Sequence, residues 1–166
     1  TIYALWLITF FEHQRVVVVA NKEKTAQEIL ARIQLAYKEL PNWLKPQVES
    51  WGKQGIEFTN GSAVHISATS SDAVRGMAVS ALLIDEMAFI DQGMMDAFWS
   101  AVYPTISSSE KAKVLIASTP NGVGNLFHTL WETAHKEGSG WGHIEIPWQQ
   151  IPGKTEEWAK QQRMSL

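Results

Sequence analysis

The chain has no cysteine, which excludes a disulfide-stapled secreted scaffold and a thiolate metal site. It has no basic excess either: 14 Lys and Arg stand against 17 Asp and Glu, a net charge of −3 with no block of one sign. Composition therefore does not announce a polyanion binder, and any nucleic-acid contact has to come from a local patch. An apolar run over residues 2–11 is too short to cross a bilayer. It carries no basic n-region and is closed by Glu12, His13, Gln14 and Arg15. Neither a membrane span nor a signal peptide is expected. There is no internal repeat and no low-complexity segment, and no Gly-x4-Gly-Lys-Ser/Thr phosphate loop occurs within residues 1–166.

What the chain does have is enough apolar content, 45% over 166 residues, for one domain with a sizeable core. Its most informative stretch is Ala81-Leu82-Leu83-Ile84-Asp85-Glu86. A continuous apolar run of this length reads as a strand buried on both faces. Two acids at its C-terminal end belong where open α/β sheets bind ligands, because a lone carboxylate in the sheet body would be costly to desolvate. Successive strand residues point to opposite sides, so the pair can divide its work. Asp85 is expected to hold a divalent cation and Glu86 to orient or deprotonate a water, as in a Walker B element.

Residues 2–11 predict a buried core helix, and Arg15-Val16-Val17-Val18-Val19-Ala20 a second buried strand, since four valines restrict χ1. Asn21 is expected to cap an amphipathic helix with Ala26, Ile29, Leu30, Ile33, Tyr37 and Leu40 on one face, ended by Pro41. Asn42-Trp43-Leu44-Lys45-Pro46 reads as a loop anchored by its tryptophan. Residues 55–59 and 62–66 predict a hairpin, with Asn60-Gly61 as a type I′ turn. A small, polar loop from Thr69 to Gly76 carries Arg75, which is suited to stabilising phosphate charge in a transition state or, equally, to pairing with Asp72. Residues 94–103 suggest a helix stopped by Pro104, and 113–118 a further strand ending in Ser118-Thr119. Those hydroxyls are expected at the same sheet edge as Asp85 and Glu86, within reach of a γ-phosphate, or else they simply cap the strand. A helix over 126–136, an alternating edge strand over 143–148 and a helix from Glu156 complete the chain. Strands alternating with helices predict an α/β fold with a mainly parallel sheet.

With these residues in place, the chain resembles the ATPase domain of the large terminase subunit of tailed bacteriophages. The resemblance rests on the ordered set Leu40-Pro41-Asn42-Trp43-Leu44-Lys45-Pro46, Asn60-Gly61-Ser62, Ser71-Asp72-Ala73-Val74-Arg75-Gly76, Leu83-Ile84-Asp85-Glu86-Met87-Ala88-Phe89-Ile90 and Ser118-Thr119-Pro120-Asn121-Gly122. It implies a P-loop NTPase fold of the RecA/ASCE type, with ATP and Mg2+ as cofactors and with Asp85 as the magnesium carboxylate and Glu86 as the catalytic base. It further implies that Arg75 is a finger-like arginine, and that Ser118, Thr119 and Pro120 form a coupling motif which, with Asn121, lines the nucleotide. The implied partners are double-stranded DNA, the portal protein and the small terminase subunit, in a homo-oligomeric ring acting in the host cytoplasm, with no membrane.

The family's Walker A loop and adenine-contacting segment are expected upstream of Thr1, and its nuclease domain downstream of Leu166. The isolated chain is therefore expected not to turn over ATP measurably. Two other readings stay open at this point: a DEAD-like helicase or other P-loop ATPase, whose buried strand also ends in Asp-Glu, and a non-catalytic scaffold of the same fold.

Overall fold

The computed structural model describes residues 1–68, 78–109 and 111–165. In chain order the elements are α1 (Ile2–Phe10), β1 (Arg15–Ala20), α2 (Glu23–Glu39), β2 (Val48–Trp51), β3 (Gly55–Phe58), β4 (Ala63–Ala68), β5 (Ala81–Asp85), α3 (Gln92–Ser107), β6 (Lys113–Ala117), α4 (Leu126–Ala134) and α5 (Glu156–Ser165). The strands form one six-stranded sheet in the order β2-β3-β4-β1-β5-β6. The four strands from β4 to β6 run parallel, and β2 and β3 extend them antiparallel. The expected α/β architecture with a mainly parallel sheet is the one observed. No helix among the described residues is long and apolar enough to cross a membrane.

Strand pleating explains the core. Val16, Val18 and Ala20, with Val64, Ile66 and Ala81, pack with Ala4, Leu5 and Ile8 of α1 and Ala26, Leu30 and Ile33 of α2. The alternate residues Val17, Val19, Leu82 and Ile84 point to the opposite face and are equally buried, as are Met95, Phe98, Val102 and Ile106 along α3. The last strand, β6, departs from this pattern. Among the described residues it has a single neighbour, alternates exposed and half-buried positions, and leaves Leu115 38% exposed.

The turn after β3 differs from the type I′ expected. Register pairs Glu57 with Ala63, the Phe58 N–H donates to the Ser62 carbonyl, and the Gly61 N–H donates to the Phe58 carbonyl. Among the described non-glycine residues only His13 and Glu86 have positive φ, whereas Gly61 has φ +76°. This is a three-residue loop with a left-handed glycine, the second solution open to an Asn-Gly hairpin. Its side chains explain the motif. Asn60 Nδ2 donates to the Ile8 carbonyl, and the buried Ser62 hydroxyl donates to the Phe11 carbonyl and accepts the Gln14 N–H. The turn thus fastens the connection between α1 and β1.

Other expectations are corrected as well. The helix α1 is not buried all round, for Ile2, Trp6 and Phe10, four residues apart, lie on an outer face. Asn21 does not cap α2; Lys22 stands at that position in extended conformation and no side chain bonds there. Trp43 anchors nothing, being 84% exposed, while Lys45 Nζ donates to the Lys38 carbonyl and serves the end of α2. Pro104 does not stop α3, which runs on to Ser107; the Ser108 N–H still finds the Pro104 carbonyl, so one more turn forms beyond the missing donor. The strand β2 was unforeseen because its sequence, Val-Glu-Ser-Trp, does not alternate.

The chain divides into two compact units, Thr1–Thr129 and Leu130–Leu166. In the second, His135 and His143 stack with ring centroids 3.9 Å apart beside Trp131, and Lys154 Nζ lies 3.9 Å from the Trp158 ring centre. Residues 143–148 form no strand there. Ile144 and Ile146 are 84% and 67% exposed, since alternation without a partner strand yields no ladder.

Candidate functional site

The C-terminal edge of the parallel strands assembles the candidate site. Ala20 of β1 is level in register with Ala68 of β4 and with Asp85 of β5, and Asp85 is level with Ala117 of β6. Neighbouring strands lie about 4.8 Å apart, so the residues that follow Ala20, Asp85 and Ala117 share one rim. Asp85, Glu86, Ser118, Thr119, Pro120 and Asn121 are thus brought to the same edge. Arg75 belongs to residues 69–77, outside the described residues.

Asp85 ends β5 half-buried, on the face that carries Leu83 and Ala81. Glu86 lies beyond the strand, so its direction does not follow from the pleat. It is exposed and left-handed, with φ 52° and ψ 41°, and it starts a 3-10 turn over Met87–Phe89 in which the Phe89 N–H donates to the Glu86 carbonyl. A residue with a Cβ rarely holds that conformation, and where it does, surrounding contacts must over-determine it.

Those contacts come from the segment after β6. The Ser118 hydroxyl oxygen accepts the Ala88 N–H at 3.0 Å and donates to the Thr119 carbonyl at 2.9 Å. Asn121 Nδ2 donates to the Ala88 carbonyl at 3.0 Å. The segment after β6 therefore holds both backbone groups of Ala88, two residues past Glu86. Gln92 of α3 adds a bond from Nε2 to the Gly124 carbonyl at 3.2 Å. The sequence places the Ser118 and Thr119 hydroxyls at this edge, and the resemblance adds Asn121 beside the nucleotide, but neither gives a role to Ala88, Gln92 or Asn125. Of these only Asn125 carried a signal, as a capping residue directly before a helix.

A hard divalent cation suits the donors present. Asp85 supplies a carboxylate, and one residue beyond Ala20, its register partner, the Asn21 side-chain oxygen is buried with no hydrogen-bond partner among the described residues. Mg2+ takes such oxygens and completes its shell with water and substrate phosphate. No three His, Cys, Asp or Glu among the described residues converge on a metal position. Two cavities lie elsewhere, beside the turn between β2 and β3: one of about 560 Å³ lined in part by Gln34, Trp51 and Lys53, the other of about 340 Å³ lined in part by Lys53, Glu57 and His65. Neither is lined by Asp85, Glu86 or Ser118.

The family described as terminase large subunit, T4likevirus-type, N-terminal, matches residues 1–165. Among solved structures, the chain is similar to the large terminase ATPase domain of Thermus phage P74-26, with 19% identity and TM-score 0.70, covering 98% of this chain and 75% of that one. It is similar to the large terminase of another thermophilic bacteriophage, solved in complex with ADP, with 12% identity and TM-score 0.71, covering 99% of this chain. Its likeness to the large terminase of bacteriophage HK97 has 13% identity and TM-score 0.58 over 74% of this chain. The chain spans 40% of the ADP-bound terminase and 26% of the HK97 protein.

Proposed function

Because the chain belongs to the large terminase subunits of the T4-like type, whose N-terminal part it matches, we propose that it is part of an ATP-hydrolysing motor that packages viral DNA. In this reading the full protein drives double-stranded DNA into a procapsid. It works in the host cytoplasm, in a ring on the portal protein and with the small terminase subunit. Family membership leaves the helicase reading without support.

The observation that carries the proposal is the rim itself: Asp85 level with Ala20 and Ala117, followed by a left-handed Glu86 whose turn is gripped from the end of β6. Asp85 would hold the magnesium ion. Mg2+, when bound with ATP, neutralises charge that builds on the transferring phosphate. Glu86 accepts the proton of the attacking water, and its exposed position leaves that water room to enter. Thr119 and Pro120 line the nucleotide, Ser118 and Asn121 act behind them through the Ala88 backbone that their side chains hold, and Arg75 contributes positive charge that stabilises the phosphates. The ADP in the complex of the thermophilic-phage relative supports a nucleotide as the ligand.

No Gly-x4-Gly-Lys-Ser/Thr phosphate loop occurs within residues 1–166. The half-exposed β6, paired on one side only among the described residues, supports a further strand beside it. Residues 1–166 alone then bind β- and γ-phosphates too poorly to turn over ATP.

The test is Glu86→Gln in the full-length protein. Nucleotide binding is expected to persist while turnover falls about a hundredfold or more, as for loss of a positioned base. Near-intact turnover overturns the assignment.

A further inference from the structure

The hydrogen bonds behind Glu86 continue past Ala88. Asn125 Nδ2 donates to the Asn121 carbonyl at 2.9 Å, and Asn125 Oδ1 accepts the His128 N–H at 2.9 Å. Both partners are backbone groups of fixed character, so the orientation of the Asn125 amide follows from them. The second bond caps the first turn of α4. The first ties that cap to Asn121, whose own amide holds the Ala88 carbonyl. One unbroken path, contained within Thr1–Thr129, therefore runs from the N-terminus of α4 through Asn125 and Asn121 to the turn that begins at Glu86.

We propose that Asn121 is a positioning residue for Glu86, and that Asn125 links it to α4, so that displacement of the α4 N-terminus re-aims the Glu86 carboxylate. The inference rests on Glu86 being the base, and it adds what regulates that base. The physical argument is conformational. A left-handed glutamate persists only while its surroundings insist on it. Here the insistence comes from Ser118 and Asn121, which grip the N–H and the carbonyl of the same residue. Without the Asn121 donor, Ala88 has lost one of its two clamps, and the 3-10 turn can relax toward an ordinary backbone conformation. Glu86 then swings with it. The nucleotide contacts stay, since Asn121 acts on the protein backbone. Asn125 makes this clamp responsive to α4, because its amide cannot follow the helix cap without pulling the Asn121 backbone along.

The test uses the full-length protein with four changes: Asn121→Ala, Glu86→Gln, the two combined, and Asn125→Asp. The last keeps an oxygen for the His128 N–H but cannot donate to Asn121. Asn121→Ala is expected to lower kcat on the order of tenfold, with KM for ATP within about twofold, as for a misplaced catalytic group with binding intact. In the Glu86→Gln background the same change is expected to cost less than about twofold, because a residue acting through Glu86 has nothing left to act through. Asn125→Asp is expected to lower kcat without lowering Tm. Equal losses in both backgrounds, a change in KM alone, or full turnover by both Asn variants overturns the inference while leaving the base assignment standing. Wild-type turnover by Glu86→Gln overturns both.

Discussion

The hydroxyl oxygen of Ser118 accepts the backbone N–H of Ala88 at 3.0 Å, across 30 positions of sequence and between two neighbouring strand ends. Ala88 is only 4% exposed, so this N–H has no ready replacement partner in solvent. Ser118→Ala is expected to destabilise the fold by about 1–3 kcal/mol, the cost of a buried donor left unpaired. Urea unfolding should show a lower midpoint at unchanged slope. Ser118→Thr, which keeps the hydroxyl, should lie close to wild type; a loss equal to that of alanine would mean the bond is not the cause.

Gly61 joins a positive φ of 76° to a close approach by His13, whose imidazole would collide with any Cβ built there. Gly61→Ala should therefore cost about 1–2 kcal/mol for the left-handed backbone alone, and more for displacing the ring. The two parts separate by experiment. In a His13→Ala background the collision is gone but the φ penalty remains, so the cost of Gly61→Ala should shrink without vanishing. Identical costs in both backgrounds would rule out the contact.

His65 sits half-buried on β4, and burial lowers its pKa from the usual 6.5; Glu57 opposes that shift and Arg15 reinforces it. In the window between the lowered folded value and 6.5 the unfolded chain binds more protons than the folded one. Stability must then rise with pH through that window and fall as the medium is acidified through it. His65→Gln removes this contribution. The wild type should lose more stability than the variant when denaturation midpoints are compared at about pH 7.5 and about pH 5.5, roughly one unit either side of an ordinary histidine pKa. Parallel pH dependence of the two proteins would count against it.

Much of the sheet was legible because its signals are local. The valine run of β1, the apolar body of β5 and the Asn-Gly turn each declare themselves within a few residues. The errors share the opposite property. Whether Trp43 is an anchor, whether residues 143–148 pair, and whether α1 is covered all depend on what lies across from them. Alternation in sequence says that a segment is able to pair, not that a partner is present.

The same division holds at the site. By itself the sequence determined the acid-ended strand, the hydroxyl-ended strand and the ordered motifs that mark the family, since side-chain chemistry and propensity act over a few bonds. Only the tertiary structure decided that Asp85 stands level with Ala20 and Ala117, that Glu86 turns left-handed beyond its strand, and that Ser118 and Asn121 close on Ala88. Those facts come from strand register, which is set by the packing of whole faces against helices, and a hydrogen bond spanning 33 positions, such as that from Asn121 to Ala88, exists only after that packing has brought its two ends together.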